Sequence, residues 1–391
     1  MNILWSANAV WCTTGYGVEG KYILPRLSRA GHNVFNFAWY GLEGGRVSVM
    51  VDGEPVLVLP KGHHPFGADM LDFYCREYDI DLVVSLHDIW VLDETYKAQI
   101  PCKWACWFPV DYDPCPSSVT EIAQTCDYPM TYSRWGADVA ARDGIPNIRY
   151  MPLGVAGDTF TPGDKAAARR SMEVPEDAFM ISMVAANKGY PSRKSIPEAL
   201  EAFTLFAQRH DNALLYMHCD YLPWDKGIDI PKLVASLGIA GRVRYANRRL
   251  YQLGFGDEFV ADVYRASDLL LEPSMSEGFG LPIVEAQLCG TPVVTNACSS
   301  MPELTINGVS VEPAGRDWVP HLMNSWRWRA SVDNVLAGME EVYGWNAETK
   351  REMARVGREH MLARYDWDVI IRDYWQPFIA EVEGELVTTP A

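Results

Sequence analysis

Apolar and polar stretches alternate along the first part of the chain in the manner of βαβ units. Residues 18–30 have helical spacing and are followed by Gly31, a residue that suits the end of a helix. Short strands that alternate with helices favour a parallel sheet. The strands are predicted at 2–6, 33–39, 82–85 and 104–108.

The same alternation begins again after residues 151–164, a segment rich in glycine, proline and aspartate that is typical of a linker. The sequence therefore predicts an α/β fold with two tandem Rossmann-like domains, at 1–155 and 165–360. Ligands of such domains bind at the carboxyl ends of the strands. The second set of elements comprises strands at 179–185, 213–218, 242–246, 266–273 and 292–296 and a helix at 195–209.

A glycine loop between two carboxylates, Glu277 and Glu285, follows the strand predicted at 266–273. Proline suits the first helical position, so a helix is expected to begin at Pro282, with Glu285 as its fourth residue. Backbone amides at the positive end of that helix favour a phosphate or diphosphate. Glu285 leans back toward the loop and can meet hydroxyl groups beside the phosphate. The amides belong to Gly278, Phe279, Gly280 and Leu281.

Two cations, Arg193 and Lys194, stand just before another predicted helix. Ser195 and Glu198 have the spacing of a capping box for that helix. Cations at a helix N-terminus oppose its dipole unless an anion bridges them, so the pair indicates an anion site, with Lys188 as a further basic contact. The alternative is a solvated surface charge.

The loop resembles the Glu-x7-Glu signature of retaining glycosyltransferases of the GT-B fold, in the group 1 or GT4 family. The match runs through Glu, Gly-Phe-Gly-Leu-Pro, Glu-Ala and Gly-Thr-Pro-Val-Val. The resemblance implies two Rossmann-like domains that face each other across a cleft, with a C-terminal helix at 366–385 returning to the first domain. It also implies transfer of a sugar from a nucleotide-diphosphate donor, a UDP- or GDP-sugar, to an acceptor hydroxyl.

The resemblance further implies roles for individual residues. Arg193 and Lys194 neutralise the donor diphosphate without a metal, Glu285 binds the ribose, and Glu277 contacts the donor sugar near the reacting carbon. A glycine loop after the first strand faces the diphosphate, and Gly15 and Gly17 match it. A plain tight turn is the alternative for these two glycines.

Two polar residues at predicted strand ends are further candidates for contact with the donor sugar. His87 follows the strand at 82–85 and Asp111 follows the strand at 104–108. Many relatives have a histidine at the position of Pro109 or Asp111, and this chain has none there. His87 is the substitute candidate, with a structural histidine as the alternative.

Bulk composition narrows the class of partner. The chain has 391 residues and a net charge of −17, which argues against general binding to nucleic acid or anionic membranes. Nine cysteines, an odd number without close pairing, indicate reduced thiols and a cytoplasmic protein. The Asp-x-Asp spacing at 111–113 recurs at 79–81 and 366–368, as chance allows in an acidic chain, so neither a catalytic metal nor a cofactor is expected.

The acceptor is left open by the sequence, as is the oligomeric state. A glycan, lipid, protein or small molecule is expected, with contacts from first-domain loops such as 40–70. Glycosylation of a modified base in DNA and a catalytically silent sugar-nucleotide-binding protein are the alternatives. Tryptophans 318, 326 and 328 are expected to pack, with stacking on a ligand as the other interpretation.

Overall fold

The computed structural model describes residues 1–223, 225–321 and 323–388. The chain divides into two compact units. Unit 1 comprises Met1–Gly154, Pro320–Ser325 and the C-terminal segment from Trp367 onward. Unit 2 comprises Val155–Val319 and Trp326–Asp366.

Unit 1 is built on an eight-stranded sheet. Its strands are β1 (Asn2–Asn8), β2 (Asn33–Tyr40), β3 (Val47–Val51), β4 (Glu54–Pro60), β5 (Leu82–Leu86), β6 (Lys103–Phe108), β7 (Tyr128–Thr131) and β8 (Arg149–Tyr150). The order is β3-β4-β2-β1-β5-β6-β7-β8, and every neighbouring pair is parallel except β3 with β4. The chain therefore reverses its direction of travel across the sheet between β1 and β5, a topological switch point where α/β proteins bind ligands.

The helices of unit 1 connect these strands. They are α1 (Gly15–Arg29), α2 (Ala68–Glu77), α3 (Glu94–Ala98), α4 (Ser117–Ala123) and α5 (Arg134–Arg142), with a 3₁₀ turn at Ile89–Val91. Residues 40–70, expected to be loops, contain β3 and β4 instead. β4 belongs to the sheet because its apolar residues Val56, Val58 and Leu59 are buried.

Unit 2 contains a six-stranded, wholly parallel sheet and a separate two-stranded ribbon. The sheet strands are β9 (Phe179–Val184), β10 (Ala213–His218), β11 (Val243–Tyr245), β12 (Leu269–Glu272), β13 (Val293–Asn296) and β14 (Gly308–Val311). The ribbon strands are β15 (Gly315–Val319) and β16 (Ser325–Arg329). The sheet order β11-β10-β9-β12-β13-β14 places a switch point between β9 and β12.

Helices cover the sheet of unit 2. They are α6 (Lys165–Ser171), α7 (Ile196–Ala207), α8 (Ile230–Ser236), α9 (Arg248–Leu253), α10 (Asp257–Ala266), α11 (Leu281–Leu288), α12 (Met301–Leu304), α13 (Val332–Gly344) and α14 (Ala347–Tyr365), with a 3₁₀ turn at Ala240–Arg242. The face of α7 that was predicted to be apolar is buried, including Leu200, Phe203 and Phe206. It contributes to a core shared with β9, β10 and α13.

The C-terminal segment packs on unit 1, as predicted. It consists of α15 (Trp367–Ile370), a π-helical turn (Ile371–Trp375) and α16 (Gln376–Thr388). Trp375 is fully buried, with its ring centroid 5.7 Å from that of Trp5 and 5.3 Å from that of Trp107. None of the helices formed by the described residues is long and apolar enough to cross a membrane.

Candidate functional site

The first part of the candidate site is the N-terminus of α11, directly after the loop that follows β12. The helix begins at Leu281, one residue earlier than predicted, so Leu281 is not its cap. Gly280 is the N-cap and has a φ of 116°, a conformation that glycine adopts without strain. Pro282 is therefore the second helical residue and Glu285 the fifth.

The loop amides before α11 are the candidate anion-binding groups of the site. In the described part of the chain, no hydrogen-bond acceptor is found for the amides of the segment 278–281. Such unpaired donors at the positive end of a helix are a binding site for phosphate groups. The Phe279 ring packs edge-on against Tyr365, with centroids 5.4 Å apart. Phe279 therefore contributes its backbone to the site, whereas its side chain belongs to the core.

The two cations predicted for the site lie in the segment after β9, which neighbours β12 in the sheet. Both are bound to Glu277. Arg193 Nη1 lies 3.0 Å from Glu277 Oε2, and Lys194 Nζ lies 2.6 Å from Glu277 Oε1. Arg193 also donates to the backbone carbonyl of Ser276 at 2.5 Å. The structure thus brings these three predicted site residues into direct contact within unit 2.

The electrostatics of this cluster keep Glu277 ionised. Burial alone raises the pKa of its carboxyl, but the charges of Arg193 and Lys194 outweigh burial and lower the pKa to about 2. Burial lowers the pKa of Lys194, yet its carboxylate neighbours raise it overall. At neutral pH the cluster therefore holds charged cations beside a charged Glu277.

The cluster contains a second carboxylate, Glu272, which was not predicted from the sequence. It is the last residue of β12 and is completely buried. Its Oε1 accepts hydrogen bonds from Lys194 Nζ at 2.9 Å and from Ser274 Oγ at 2.6 Å. A charge at the end of an otherwise apolar Leu-Leu-Leu strand was the available signal, because a buried acid requires a cation.

Glu285 lies apart from this ion cluster and has a different protonation behaviour. Its Oε2 accepts a hydrogen bond from the Tyr264 hydroxyl at 2.7 Å. Burial raises the pKa of Glu285 to about 7, even though the Tyr264 hydrogen bond lowers it. A carboxyl group that titrates near neutral pH can both donate and accept hydrogen bonds, which suits recognition of hydroxyl groups.

The predicted capping box at the start of α7 is absent. Ser195 has a left-handed backbone with φ of 49°, and its side chain makes no cap hydrogen bond. Ser195 Oγ is buried without a partner in the described chain. The cap hydrogen bond is missing because the left-handed backbone of Ser195 differs from the extended conformation that a capping residue needs.

Lys188, the further basic contact predicted for the site, lies in the segment between β9 and α7. Its side chain is exposed. No ion pair of Lys188 is found in the ranges that the structure describes. Contact with a donor therefore stays a prediction for this residue.

The glycine motif of unit 1 forms the first turn of α1, at the switch point beside β1. Thr14 is the N-cap, and its hydroxyl accepts a hydrogen bond from the Gly17 amide at 3.3 Å. A Cβ atom on Gly17 would lie 2.3 Å from the Cys12 carbonyl oxygen, so close packing requires this glycine. Gly15 is exposed. An anion role therefore stays a prediction for Gly15, while the Gly17 amide is already used by the cap.

His87 lies inside the core of unit 1. The residue is fully buried, its ring is stacked on Trp39 with centroids 4.9 Å apart, and Nε2 lies 3.2 Å from Ser6 Oγ. Burial lowers its pKa to about 3. No ring surface of His87 is exposed, which favours the structural alternative, and a contact with the donor stays a prediction. Asp111 is half-buried, and its role stays a prediction.

Asp88, the neighbour of His87, is a polar group that was not predicted as a site residue. Asp88 Oδ1 accepts a hydrogen bond from the Tyr16 hydroxyl at 3.0 Å. Tyr16 belongs to the first turn of α1, and Asp88 follows β5, so the bond joins the two sides of the unit 1 switch point. This contact depends on β1 and β5 being neighbours in the sheet, and the order of residues in the sequence does not show that they are.

The fold is shared with solved glycosyltransferases over nearly the whole chain. Sucrose-phosphate synthase from Thermosynechococcus elongatus has a TM-score of 0.75 at 16% identity, covering 98% of this chain and 99% of that one. Anabaena Alr3699/HepE, in complex with UDP and glucose, has a TM-score of 0.71 at 15% identity, covering 97% and 100%. These similarities confirm the predicted GT-B fold.

A family model matches part of unit 2. Residues 181–320 match the model described as Glycosyl transferases group 1, the family that the glycine loop resembles.

Curated relatives include D-inositol 3-phosphate glycosyltransferases. That of Geodermatophilus obscurus is 32% identical over 241 residues, 60% of this chain and 47% of the relative. That of Salinispora tropica is 30% identical over 262 residues, 61% of this chain and 46% of the relative. The chain thus spans about half the length of these relatives.

Proposed function

We propose that the protein is a retaining glycosyltransferase that moves a sugar from a nucleotide-diphosphate donor to an acceptor hydroxyl of a glycan, lipid, protein or small molecule. A UDP- or GDP-sugar is the proposed donor. One observation carries this proposal. Arg193, Lys194 and Glu277 form an ion cluster beside a helix N-terminus whose loop amides have no partner in the described chain.

The two cations differ in accessibility, which suggests how a donor enters. The Arg193 side chain is 34% exposed, whereas Lys194 is 12% exposed. Arg193 therefore meets the diphosphate first, and Lys194 binds it from deeper in the site. The amides of 278–281 supply fixed donors to the same phosphate oxygens. Charges and dipoles that are already in place stabilise a departing anion without reorganisation.

In the transfer step, the two cations and the loop amides act on the leaving group, which is the nucleoside diphosphate. The bond between the anomeric carbon and the diphosphate oxygen breaks, and its electron pair stays with the diphosphate. The acceptor oxygen forms a bond to the same carbon from the same face, which retains configuration. Its proton passes to the departing diphosphate oxygen. In this proposal the cations and amides neutralise the leaving group without a metal ion.

The two carboxylates act on different parts of the donor. Glu285 binds the ribose hydroxyls, since it lies one turn into α11 behind the phosphate-binding loop. Glu277 contacts the donor sugar near the reacting carbon. It is ionised and must exchange part of its contact with Arg193 and Lys194 when the diphosphate binds those cations. Donor binding and release of Glu277 are therefore coupled.

Relatives and fold neighbours agree with this class of reaction. The relatives' names describe glycosyltransferases that act on D-inositol 3-phosphate. Anabaena Alr3699/HepE has been solved with UDP-glucose and with UDP and glucose. We also propose a cytoplasmic location, supported by nine cysteines that are all unpaired in the described part of the chain.

Release of nucleoside diphosphate from a panel of UDP- and GDP-sugars tests the proposal. We expect hydrolysis or transfer with one donor, and a loss of at least about 100-fold in turnover for Glu277→Gln, because fixed charge at the reacting centre is removed. Glu176→Gln, which changes an exposed acid of unit 2, is the matched control and should keep full activity. Failure of every donor to bind or react would refute the proposal.

The panel also separates the enzyme from a catalytically silent binding protein. A silent protein would bind a nucleotide sugar and release no nucleoside diphosphate from it. The same Glu277→Gln variant would then leave the measured signal unchanged. Binding by calorimetry and product release by coupled assay, run on one preparation, distinguish the two cases.

A further inference from the structure

Glu272 shares Lys194 with Glu277 in the interior of unit 2. Lys194 Nζ lies 2.9 Å from Glu272 Oε1 and 2.6 Å from Glu277 Oε1. The Glu272 side chain has no exposed surface, in contrast to Lys194, which is 12% exposed. A donor in the site therefore cannot touch Glu272, and this carboxylate acts on the donor only through its charge and through the position of Lys194.

The contacts of Glu272 fix where Lys194 lies. Oε1 accepts from both Lys194 and Ser274, while Oε2 has no hydrogen-bond partner in the described chain although it is buried. A carboxylate oxygen without a partner is costly in the interior. An apolar residue of similar volume would pack at least as well here. The cost of removing a buried charge from water is offset only when the charge is well paired and hydrogen-bonded.

The formal charges of the cluster sum to zero. With all four groups ionised, Arg193 and Lys194 carry two positive charges, and Glu272 and Glu277 carry two negative charges. A nucleoside diphosphate is an anion, so each carboxylate near the cations weakens its binding. Glu277 has a proposed role on the donor sugar. Glu272 has no surface for such a role, and its charge therefore acts on affinity and on the position of Lys194.

We propose that Glu272 is a positioning residue that holds Lys194 in place and limits the affinity of the site for nucleoside diphosphate. Without its charge, Lys194 is held by Glu277 alone, and Glu277 is less available to the donor sugar. The site gains one net positive charge at the same time. The product is then bound more tightly, and the reaction becomes slower. This inference rests on the proposed function of the same site.

The test is Glu272→Gln, which keeps the shape of the side chain and removes its charge. We expect the Kd for UDP, measured by calorimetry, to fall about three- to tenfold. We also expect kcat and KM for the donor to fall together. GDP is the probe if the wild-type protein binds GDP and not UDP. A merely structural role predicts the opposite direction, because a loosened site binds its ligand more weakly.

A matched control is Asp268→Asn, in the same unit. Asp268 also pairs with two cations, Lys165 and Arg169, each at 2.6 Å, and it has no proposed place in the site. It should change stability and leave the Kd for UDP unaltered. Glu272→Leu is the second variant. It makes the same change of charge with apolar packing, so it should tighten UDP binding even if Glu272→Gln folds poorly.

The outcomes separate this inference from the proposed function. If wild-type protein binds neither UDP nor GDP, both are overturned. If wild-type protein binds and the folded Glu272 variants bind equally or more weakly, the inference on Glu272 is overturned and the proposed function stands. Tighter binding by Asp268→Asn as well would also overturn it, because the effect would then be general to unit 2.

Discussion

Replacement of Lys194 by methionine tests whether the ion cluster contributes a large part of the free energy of unfolding of unit 2. The variant keeps the volume and the apolar stem of the side chain and removes the charge. Glu272 and Glu277 then lose a cation that lies 2.9 Å from one and 2.6 Å from the other. Glu272 has no other cation among the ion pairs of the described residues, whereas Glu277 keeps Arg193.

The magnitude follows from leaving a carboxylate uncompensated in the interior. Glu272 is fully buried, so solvent cannot replace the lost lysine. Removing one partner of a buried ion pair costs about 3–5 kcal/mol. For a unit of this size, 1 kcal/mol moves the melting temperature by about 2–4 °C, so the transition of unit 2 should fall by about 6–20 °C at pH 8.

The pH dependence gives the sign of the effect. In the wild-type protein the pKa of Glu277 lies below its ordinary value of 4.5, at about 2, so its stabilisation is present above 4.5 and is lost as pH falls toward 2. In the variant, Glu272 is a buried acid without its cation, and burial already raises its pKa. Uptake of a proton relieves the cost, so the difference from wild type should shrink as pH falls from 8 to 5.

Scanning calorimetry between pH 5 and pH 8 measures both quantities, with the two units analysed as separate transitions. Lys188→Met, at an exposed lysine of the same segment, is the control and should stay within about 0.5 kcal/mol of wild type. The double variant Lys194→Met with Glu272→Leu should recover most of the loss. A loss below about 1 kcal/mol, or an equal loss at both pH values, would refute the reasoning on a buried charge.

Three further perturbations test other parts of the structure. Glu285→Gln should gain stability over wild type as pH rises from 4.5 through 7, because burial raises the pKa of Glu285 to about 7 and its ionised form disfavours the fold; a flat difference in melting temperature across this range would contradict that pKa. Gly17→Ala should destabilise unit 1 by about 1–3 kcal/mol in urea unfolding, since its Cβ would lie 2.3 Å from the Cys12 carbonyl oxygen, and no loss would show that the backbone relaxes freely. Trp375→Ala should cost about 3–5 kcal/mol in the same assay, because the ring is fully buried between two other tryptophans, and a loss below 1 kcal/mol would place the C-terminal segment outside the core.

Much of the architecture was predictable because its signals are local. The strands predicted for both units are short apolar runs. The structure has a strand at each of these runs, with ends shifted by one to three residues in most cases. Residues 40–70 were mistaken for loops although the signal was present, because Val47–Val51 and Glu54–Pro60 are apolar runs on either side of Asp52-Gly53. Apolar runs that flank Asp-Gly are typical of a β-hairpin, and the structure pairs these two strands antiparallel.

Helix ends were less predictable than the helices. Pro282 fits the first helical position by propensity, yet the backbone of Gly280 turns into the helix one residue earlier. Ser195 and Glu198 have the spacing of a capping box, but the chain enters α7 through a left-handed residue. Caps depend on the dihedral angles of one or two residues, and tertiary packing of the loops decides those angles.

The sequence by itself indicated the separate parts of the proposed anion site, because each part is a local pattern: a glycine loop at a helix start, with carboxylates at 277 and 285, and a cation pair at 193–194. Only the tertiary structure decided how these groups are charged and paired. Lys194 meets partners 78 and 83 residues away, Glu272 and Glu277, because β9 and β12 are adjacent in the sheet and their carboxyl ends meet at one edge. Burial at that edge removes water, and ionised groups then require partners of opposite charge. No local pattern records which partner that will be.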